Sequence, residues 1–174
     1  MKYVALLLSL FISLSALATT KPAFLFVCTG NTGRSPMAEA LANDVLDFDA
    51  SGYPDFSRGI NVNSEKTARE TNAIIVMKEL GADISATEAK TVTVADINAS
   101  TWVLAMTRAH KEQLIARAPS AAAKIKMLSE CATGREQDIE DAYGQDLSFY
   151  RQTRDQMATY IADIQEHGFT CTKA

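Results

Sequence analysis

The sequence predicts an α/β protein whose parallel β-sheet is flanked by helices. Short apolar runs alternate with segments of helical periodicity, and a glycine-rich turn joins the first run to the first helix. No repeat or linker divides the chain, so we expect one domain. In parallel sheets of this kind, ligands bind beyond the carboxyl ends of the strands.

Local signals place each element along the chain. Phe24 to Val27 is an apolar run that fits a strand buried on both faces. Ser35 and Pro36 are an N-cap signal and a first-turn signal, so they predict that the first helix begins there. Gly81 and Pro119 end the second and third helices. We further predict strands ending near Gly59, at 102–106 and at 125–128, with helices at 67–80, 109–117 and 147–164.

The composition excludes several classes of protein. Of the 174 residues, 47% are hydrophobic and 22% are charged, which is typical of a globular domain and excludes disorder and coiled coil. Lys and Arg number 17 against 21 for Asp and Glu, so the net charge is −4, and no basic cluster indicates nucleic-acid binding. Three dispersed cysteines and two histidines predict neither a disulfide scaffold nor a metal site.

The amino terminus has the features of a secretory signal peptide, which we assign to residues 1–18. Lys2 precedes an apolar run from Val4 to Leu17, and Ala16-Leu17-Ala18 is typical of a cleavage site. The run is shorter than the roughly 20 residues that a membrane-spanning helix needs, so we expect cleavage and no permanent anchor. The remaining domain, residues 22–174, is then exported to the periplasm or secreted.

The candidate site is the segment Cys28-Thr29-Gly30-Asn31-Thr32-Gly33-Arg34-Ser35, directly after the first strand. Its glycines and Asn31 allow the positive-φ turns that direct successive backbone N–H groups toward one anion. Arg34 adds a bidentate guanidinium, and the N-terminus of the next helix favours negative charge. The same field favours the thiolate form of Cys28. The segment therefore predicts a phosphate site that contains a nucleophilic sulfur.

The run from Phe26 to Glu39 resembles the signature loop of the low-molecular-weight protein tyrosine phosphatase family. The resemblance continues through Val103-Leu104-Ala105-Met106-Thr107, Asp141-Ala142-Tyr143-Gly144 and Tyr150-Arg151-Gln152-Thr153-Arg154-Asp155. It implies a three-layer αβα sandwich with a four-stranded parallel sheet. It also implies a phosphatase that hydrolyses phosphotyrosine in proteins through a phosphocysteine intermediate, without a cofactor.

The resemblance assigns roles to individual residues. Cys28 is the nucleophile, Arg34 and the loop amides stabilise the transferred phosphoryl group, and Asp141 is the general acid and base. Ser35 supports the sulfur, and Asn31 supports the shape of the loop. The residues alone leave a solvated acidic loop or a helix cap as alternatives for Asp141. The expected substrate contacts are Thr29, Gly30, Asn31, Thr32, Gly33, Ser35 and Tyr143.

Two positions depart from the family pattern. Ala142 stands where the family has proline, which predicts a more mobile acid loop and a slower first step. Gly33 stands where most members carry a second cysteine that can form a disulfide with the nucleophile, and its absence fits an oxidising compartment. In that compartment Cys131 and Cys171 either pair with each other or remain two unrelated thiols.

Two residues, Thr32 and Tyr143, bear on which substrate the site accepts, and the sequence allows two interpretations of each. Thr32 resembles the protein arginine phosphatase branch, where its hydroxyl would orient water or a guanidinium; the alternative is a small loop residue without such a role. Tyr143 is either an aromatic wall for the substrate or a packing residue. We interpret His110 as a surface helix residue.

Two other functions compete with the phosphatase. A non-catalytic anion-binding protein is one alternative. Arsenate reduction is disfavoured because residues 60–120 contain no cysteine.

Overall fold

A parallel sheet forms the centre of this computed structural model, which describes residues 24–46 and 55–171. Among these residues the strands are β1 (Phe24–Cys28), β2 (Phe56–Gly59), β3 (Trp102–Ala105) and β4 (Ile125–Met127). They are all parallel and lie in the order β2-β1-β3-β4. The predicted α/β class and the four-stranded parallel sheet are confirmed.

Six α-helices surround the sheet in the part of the chain that the structure describes. They are α1 (Arg34–Ala40), α2 (Thr71–Lys78), α3 (Val94–Ala99), α4 (Arg108–Arg117), α5 (Leu128–Thr133) and α6 (Leu147–Glu166). A π-helical turn, Leu41–Val45, continues α1, and a 3₁₀ segment, Pro119–Lys124, leads from α4 to β4.

Side chains that alternate along the strands divide the core into two layers. Phe24 and Phe26 of β1 contact the layer that includes α1, α2, α5 and α6, whereas Leu25 and Val27 contact the layer that includes α3 and α4. All four side chains are fully buried. Helices on both faces make the fold the three-layer αβα sandwich that the resemblance implied.

The start of α1 differs from the prediction by two residues. The helix begins at Arg34 with Gly33 at the N-cap position, and no side chain caps it. Ser35 therefore lies inside the first turn, so the prediction that it is the N-cap is wrong. Its hydroxyl is used elsewhere, because it lies 3.0 Å from the sulfur of Cys28.

Three helices also differ from the prediction. The second predicted helix, α2, begins at Thr71 and not at residue 67, because the residues before it bond to the loop after β1. The six-residue helices α3 and α5 are absent from the elements predicted from the sequence. A capping box between Thr93 and Asp96 begins α3, and it was the one local signal that could have revealed that helix.

The amino-terminal predictions are not addressed by this part of the chain. The signal peptide at residues 1–18 and the start of the domain at residue 22 lie outside the described residues. Among the residues that are described, no helix combines the length and the apolar character that crossing a membrane requires.

A disulfide joins Cys131 in α5 to Cys171 beyond the end of α6. The first of the two alternatives for these thiols is thereby confirmed. Cys28 is buried and remains a free thiol. The bridge closes a segment of 40 residues that contains the whole of α6. It therefore lowers the conformational entropy of this segment in the unfolded chain.

We expect the double substitution Cys131→Ser, Cys171→Ser to lower the free energy of unfolding by about 2–4 kcal/mol, because the unfolded chain regains the freedom of that segment. Chemical denaturation of the oxidised protein and of the variant measures the difference. Wild-type protein treated with a reductant is the matched control and should approach the variant. Equal stability of all three samples would contradict this account of the bridge.

Candidate active site

The loop between β1 and α1 lies at the carboxyl end of the sheet, where the sequence analysis placed the site. Its left-handed residue is Asn31, with φ of 56°, whereas neither Gly30 nor Gly33 has a positive φ. The expectation that the loop glycines supply positive φ is therefore wrong. A different contact concerns Gly33: a Cβ built on it would lie 2.6 Å from Oε2 of Glu70, so a larger residue at this position would displace the Glu70 carboxylate.

Asn31 is held by hydrogen bonds at all of its polar atoms. Its Nδ2 donates to the hydroxyls of Ser35 and Ser57 at 2.9 and 2.8 Å, and its Oδ1 accepts from the Lys90 backbone at 2.9 Å. Its carbonyl accepts from the guanidinium of Arg69. These bonds maintain a backbone conformation that a non-glycine residue rarely adopts.

The sulfur of Cys28 lies at the base of the loop. It accepts a hydrogen bond from the Asn31 backbone N–H at 3.3 Å and lies 3.0 Å from the Ser35 hydroxyl. The cysteine is only 3% exposed, so both contacts act in a largely desolvated site. Hydrogen bonds of this kind stabilise a thiolate and ease its departure as a leaving group.

Arg34 and Asp141 form an ion pair at the edge of the loop. Nη2 of Arg34 donates to Oδ2 of Asp141 at 2.6 Å, and Nη1 donates to the Ile139 carbonyl at 3.0 Å. Nε of Arg34 is buried without a hydrogen-bond partner among the described residues, so it can donate to an anion held by the loop. The structure brings Cys28, Arg34 and Asp141 together around one loop.

The remaining predicted substrate contacts differ in their exposure to solvent and in their distance along the chain from the nucleophile. Thr29 and Gly30 follow the nucleophile in the loop, and the Thr29 hydroxyl lies 2.8 Å from Nε2 of His110. Tyr143 is 70% exposed and borders an open cavity of about 440 Å³. A ring in this position can form a wall for a substrate, and a packing role in the core is excluded by its exposure.

Thr32 has a partner that the sequence analysis did not consider. Its hydroxyl donates to Oε1 of Glu70 at 2.6 Å, and Oε2 of Glu70 accepts from the Tyr150 hydroxyl at 2.5 Å. Glu70 and the adjacent Arg69 thus contact the loop from the segment before α2. Neither belongs to a motif, and they lie more than thirty residues from the loop, so no local pattern could have revealed them.

His110 is buried, so its interpretation as a surface residue is wrong. It lies in the first turn of α4 and is only 6% exposed. Burial, together with the nearby positive charge of Arg34, lowers the pKa of its imidazole to about 4, although Asp141 and Asp138 oppose the shift. Nδ1 has no hydrogen-bond partner among the described residues. The neutral ring is therefore the form that the folded protein favours near neutral pH.

The described residues contain no group of three or more His, Cys, Asp or Glu side chains arranged to hold a metal ion.

The neutral state of His110 makes stability depend on pH. The unfolded chain binds a proton at this residue near pH 6.5, whereas the folded chain does so only near pH 4. The free energy of unfolding should therefore decline as pH falls from 6.5 toward 4, with a slope contribution of at most about 1.4 kcal/mol per pH unit. Denaturation at a series of pH values measures it.

His110→Gln should remove this contribution, whereas the matched change His167→Asn at the exposed end of α6 should not. An identical pH slope in the wild type and in His110→Gln would show that His110 is not the responsible group.

Comparison with known proteins places this geometry in one family. Residues 23–167 match the model of the low molecular weight phosphotyrosine protein phosphatases. A protein-arginine-phosphatase of Geobacillus stearothermophilus is 36% identical over 142 residues, which cover 82% of this chain and 93% of that protein.

A low molecular weight protein-tyrosine-phosphatase, PtpB, of Staphylococcus haemolyticus is 35% identical, covering 80% of this chain and 95% of that protein. The crystal structure of a low molecular weight protein tyrosine phosphatase from T. tengcongensis superposes with a TM-score of 0.76 at 36% identity, covering 84% of this chain and 99% of that one. The chain belongs to the low molecular weight phosphotyrosine protein phosphatase family, whose members are cysteine-dependent hydrolases.

Proposed function

We propose that this protein removes phosphate from phosphorylated proteins, with phosphotyrosine as the first substrate class, by way of a phosphocysteine on Cys28. One observation carries the proposal: a buried sulfur accepts a hydrogen bond from the Asn31 amide and lies 3.0 Å from the Ser35 hydroxyl, in a loop whose edge carries the ion pair of Arg34 and Asp141. This arrangement combines a nucleophile, an anion clamp and an acid.

In the first step the Cys28 thiolate forms an S–P bond while the P–O bond of the ester breaks. Asp141 gives its proton to the departing oxygen, so the leaving group departs as a neutral alcohol. In the second step Asp141 takes a proton from water, whose oxygen attacks phosphorus, and the S–P bond breaks to regenerate the thiolate. The Ser35 hydroxyl, 3.0 Å away, stabilises the charge that returns to sulfur.

Substrate binding requires a change of partner at Arg34. Its Nη2 is bound to Asp141, and a phosphoryl group held by the loop competes for the same guanidinium. Exchange of the carboxylate for phosphate leaves Arg34 bidentate on the phosphoryl oxygens and frees Asp141 to face the leaving group. The Asp141 side chain is half exposed, so it can move without opening the core.

Phosphoarginine is the second candidate substrate. Relatives named protein-arginine-phosphatase match most of this chain. The hydroxyl of Thr32 is not available to orient water independently, because it donates to Glu70. For a guanidinium leaving group, the Glu70 carboxylate would therefore replace the Thr32 hydroxyl as the hydrogen-bond acceptor.

We also propose that the protein acts outside the cytoplasm. The apolar start of the sequence, a disulfide remote from the nucleophile and glycine at position 33 all support export. A phosphorylated protein or a small phosphoester of that compartment is then the substrate.

The intermediate can be tested directly. Rapid mixing of residues 19–174 with a phosphotyrosine peptide, followed by acid quench and mass spectrometry, should place phosphate on the peptide that contains Cys28. Cys28→Ser should abolish turnover. Turnover no greater than that of Cys28→Ser would support the non-catalytic anion-binding alternative.

The acid role of Asp141 depends on the leaving group. Asp141→Asn should lower kcat/KM, which reports only the first step, about 10²-fold or more for a phosphotyrosine peptide, but much less for a nitrophenyl ester, whose leaving group needs no proton. Glu140→Gln, a neighbouring exposed carboxylate, is the matched control. An equal loss on both substrates would contradict the assignment.

Substitutions at Ala142 test whether the backbone of the loop that carries Asp141 limits the rate of the first step. The side chain is buried and its carbonyl accepts from the Gln145 backbone at 2.9 Å, a bond that proline at this position would retain. We expect Ala142→Pro to accelerate phosphorylation of Cys28 several-fold and Ala142→Gly to slow it, because proline restricts the backbone of residue 142 and of the preceding Asp141, whereas glycine loosens it. Burst-phase kinetics measures the rate, and unchanged rates would contradict the expectation.

A further inference from the structure

We propose that Glu70 is a specificity-determining residue, whose carboxylate favours a nitrogen leaving group that carries N–H donors over an aryl oxygen. The proposal rests on the phosphatase function proposed above and concerns the leaving-group side of the same site.

The carboxylate of Glu70 occupies space that a loop side chain would otherwise fill. A Cβ on Gly33 would lie 2.6 Å from Oε2 and 3.0 Å from Oε1 of Glu70. Gly33 lies between Thr32 and Arg34, so the negative charge is placed against the phosphate loop itself. Glycine at position 33 and glutamate at position 70 are therefore sterically coupled.

Two hydrogen bonds fix the orientation of this carboxylate. Oε1 accepts from Thr32 of the loop at 2.6 Å and Oε2 accepts from Tyr150 of α6 at 2.5 Å. Burial raises the pKa of the Tyr150 hydroxyl, and its hydrogen bond to Glu70 raises it further, so Tyr150 remains a donor at neutral pH. A carboxylate offers about four acceptor sites, so these two bonds leave acceptor capacity on each oxygen.

Glu70 also borders the cavity beside the acid loop. The open cavity of about 440 Å³ is lined by Glu70, Asn72, Tyr143 and Tyr150. Tyr150 lies near enough to Asp141 and Tyr143 for both to act on it electrostatically. Because Glu70 and Tyr143 line the same cavity, we place the substrate side chain in this cavity, beside the Glu70 carboxylate.

The two candidate leaving groups respond to this charge in opposite ways. An aryl oxygen has no N–H donor, so for phosphotyrosine the carboxylate contributes only repulsion of the phosphoryl dianion. The guanidinium of phosphoarginine presents planar N–H donors that match the geometry of a carboxylate. Glu70 thus lowers the barrier for the second class relative to the first.

The experiment compares Glu70→Gln with wild-type protein on matched phosphotyrosine and phosphoarginine peptides. Glutamine keeps the shape and an acceptor oxygen but removes the charge. We expect the ratio of kcat/KM for phosphoarginine to kcat/KM for phosphotyrosine to fall about tenfold or more. Glu112→Gln, an exposed change of the same charge on α4, is the matched control and should leave the ratio unchanged.

A second variant, Glu70→Asp, keeps the charge on a shorter side chain. It should lower the phosphoarginine to phosphotyrosine ratio less than glutamine does, and it keeps the test available if Glu70→Gln does not fold. Thermal unfolding of each variant identifies that case. For the variants that fold, a ratio within twofold of wild type would overturn the proposal, as would equal losses on both substrates.

The failure of this proposal can be distinguished from failure of the proposed function. Wild-type protein that turns over phosphotyrosine but not phosphoarginine would overturn the role of Glu70 and leave the phosphatase intact. Turnover of neither substrate above the Cys28→Ser background would instead overturn the proposed function.

Discussion

The site depends on one strained residue, Asn31, whose left-handed backbone turns the loop after β1 back toward the sulfur. Its φ of 56° is unfavourable for a residue with a side chain, so the surroundings must compensate. Asn31 donates hydrogen bonds to Ser35 and Ser57 through its side-chain amide and to Cys28 through its backbone N–H. It accepts hydrogen bonds from Lys90 and Arg69. In this conformation the backbone N–H of Asn31 points at the sulfur of the nucleophile.

The fold supplies those partners because β1 lies inside the sheet. β2 ends beside the loop and brings Ser57, while the segment before α2 brings Arg69 and Glu70. The last part of the chain returns across the same edge, with Asp141 on Arg34 and Tyr150 on Glu70. Contacts between elements that are distant in sequence therefore help to position Asn31, Thr32 and Arg34. The disulfide connects α5 to the chain beyond α6, the helix that carries Tyr150.

The residues of the candidate site that could be predicted from the sequence are those whose geometry is determined by their neighbours along the chain. Cys28, Asn31, Arg34 and Ser35 lie in one short run, and a strand followed by a turn and a helix defines their geometry. Asp141 was accessible only through the family resemblance, because an acidic loop alone has several interpretations. The roles of Glu70 and His110 depend on tertiary contacts, so no periodicity or spacing indicates them. Gly33 was expected to permit a turn, but its actual constraint is the Glu70 carboxylate, which lies 37 positions away in the sequence.

The proposed mechanism requires the loop to hold a phosphoryl group while Arg34 exchanges Asp141 for it. A crystal structure of Cys28→Ser with bound inorganic phosphate tests this most directly, because serine keeps the loop and removes turnover. We predict phosphate within the loop, Nε and Nη2 of Arg34 within about 3 Å of its oxygens, and Asp141 released from the guanidinium. Phosphate bound elsewhere, or Arg34 still paired with Asp141 beside a phosphate-filled loop, would contradict the account.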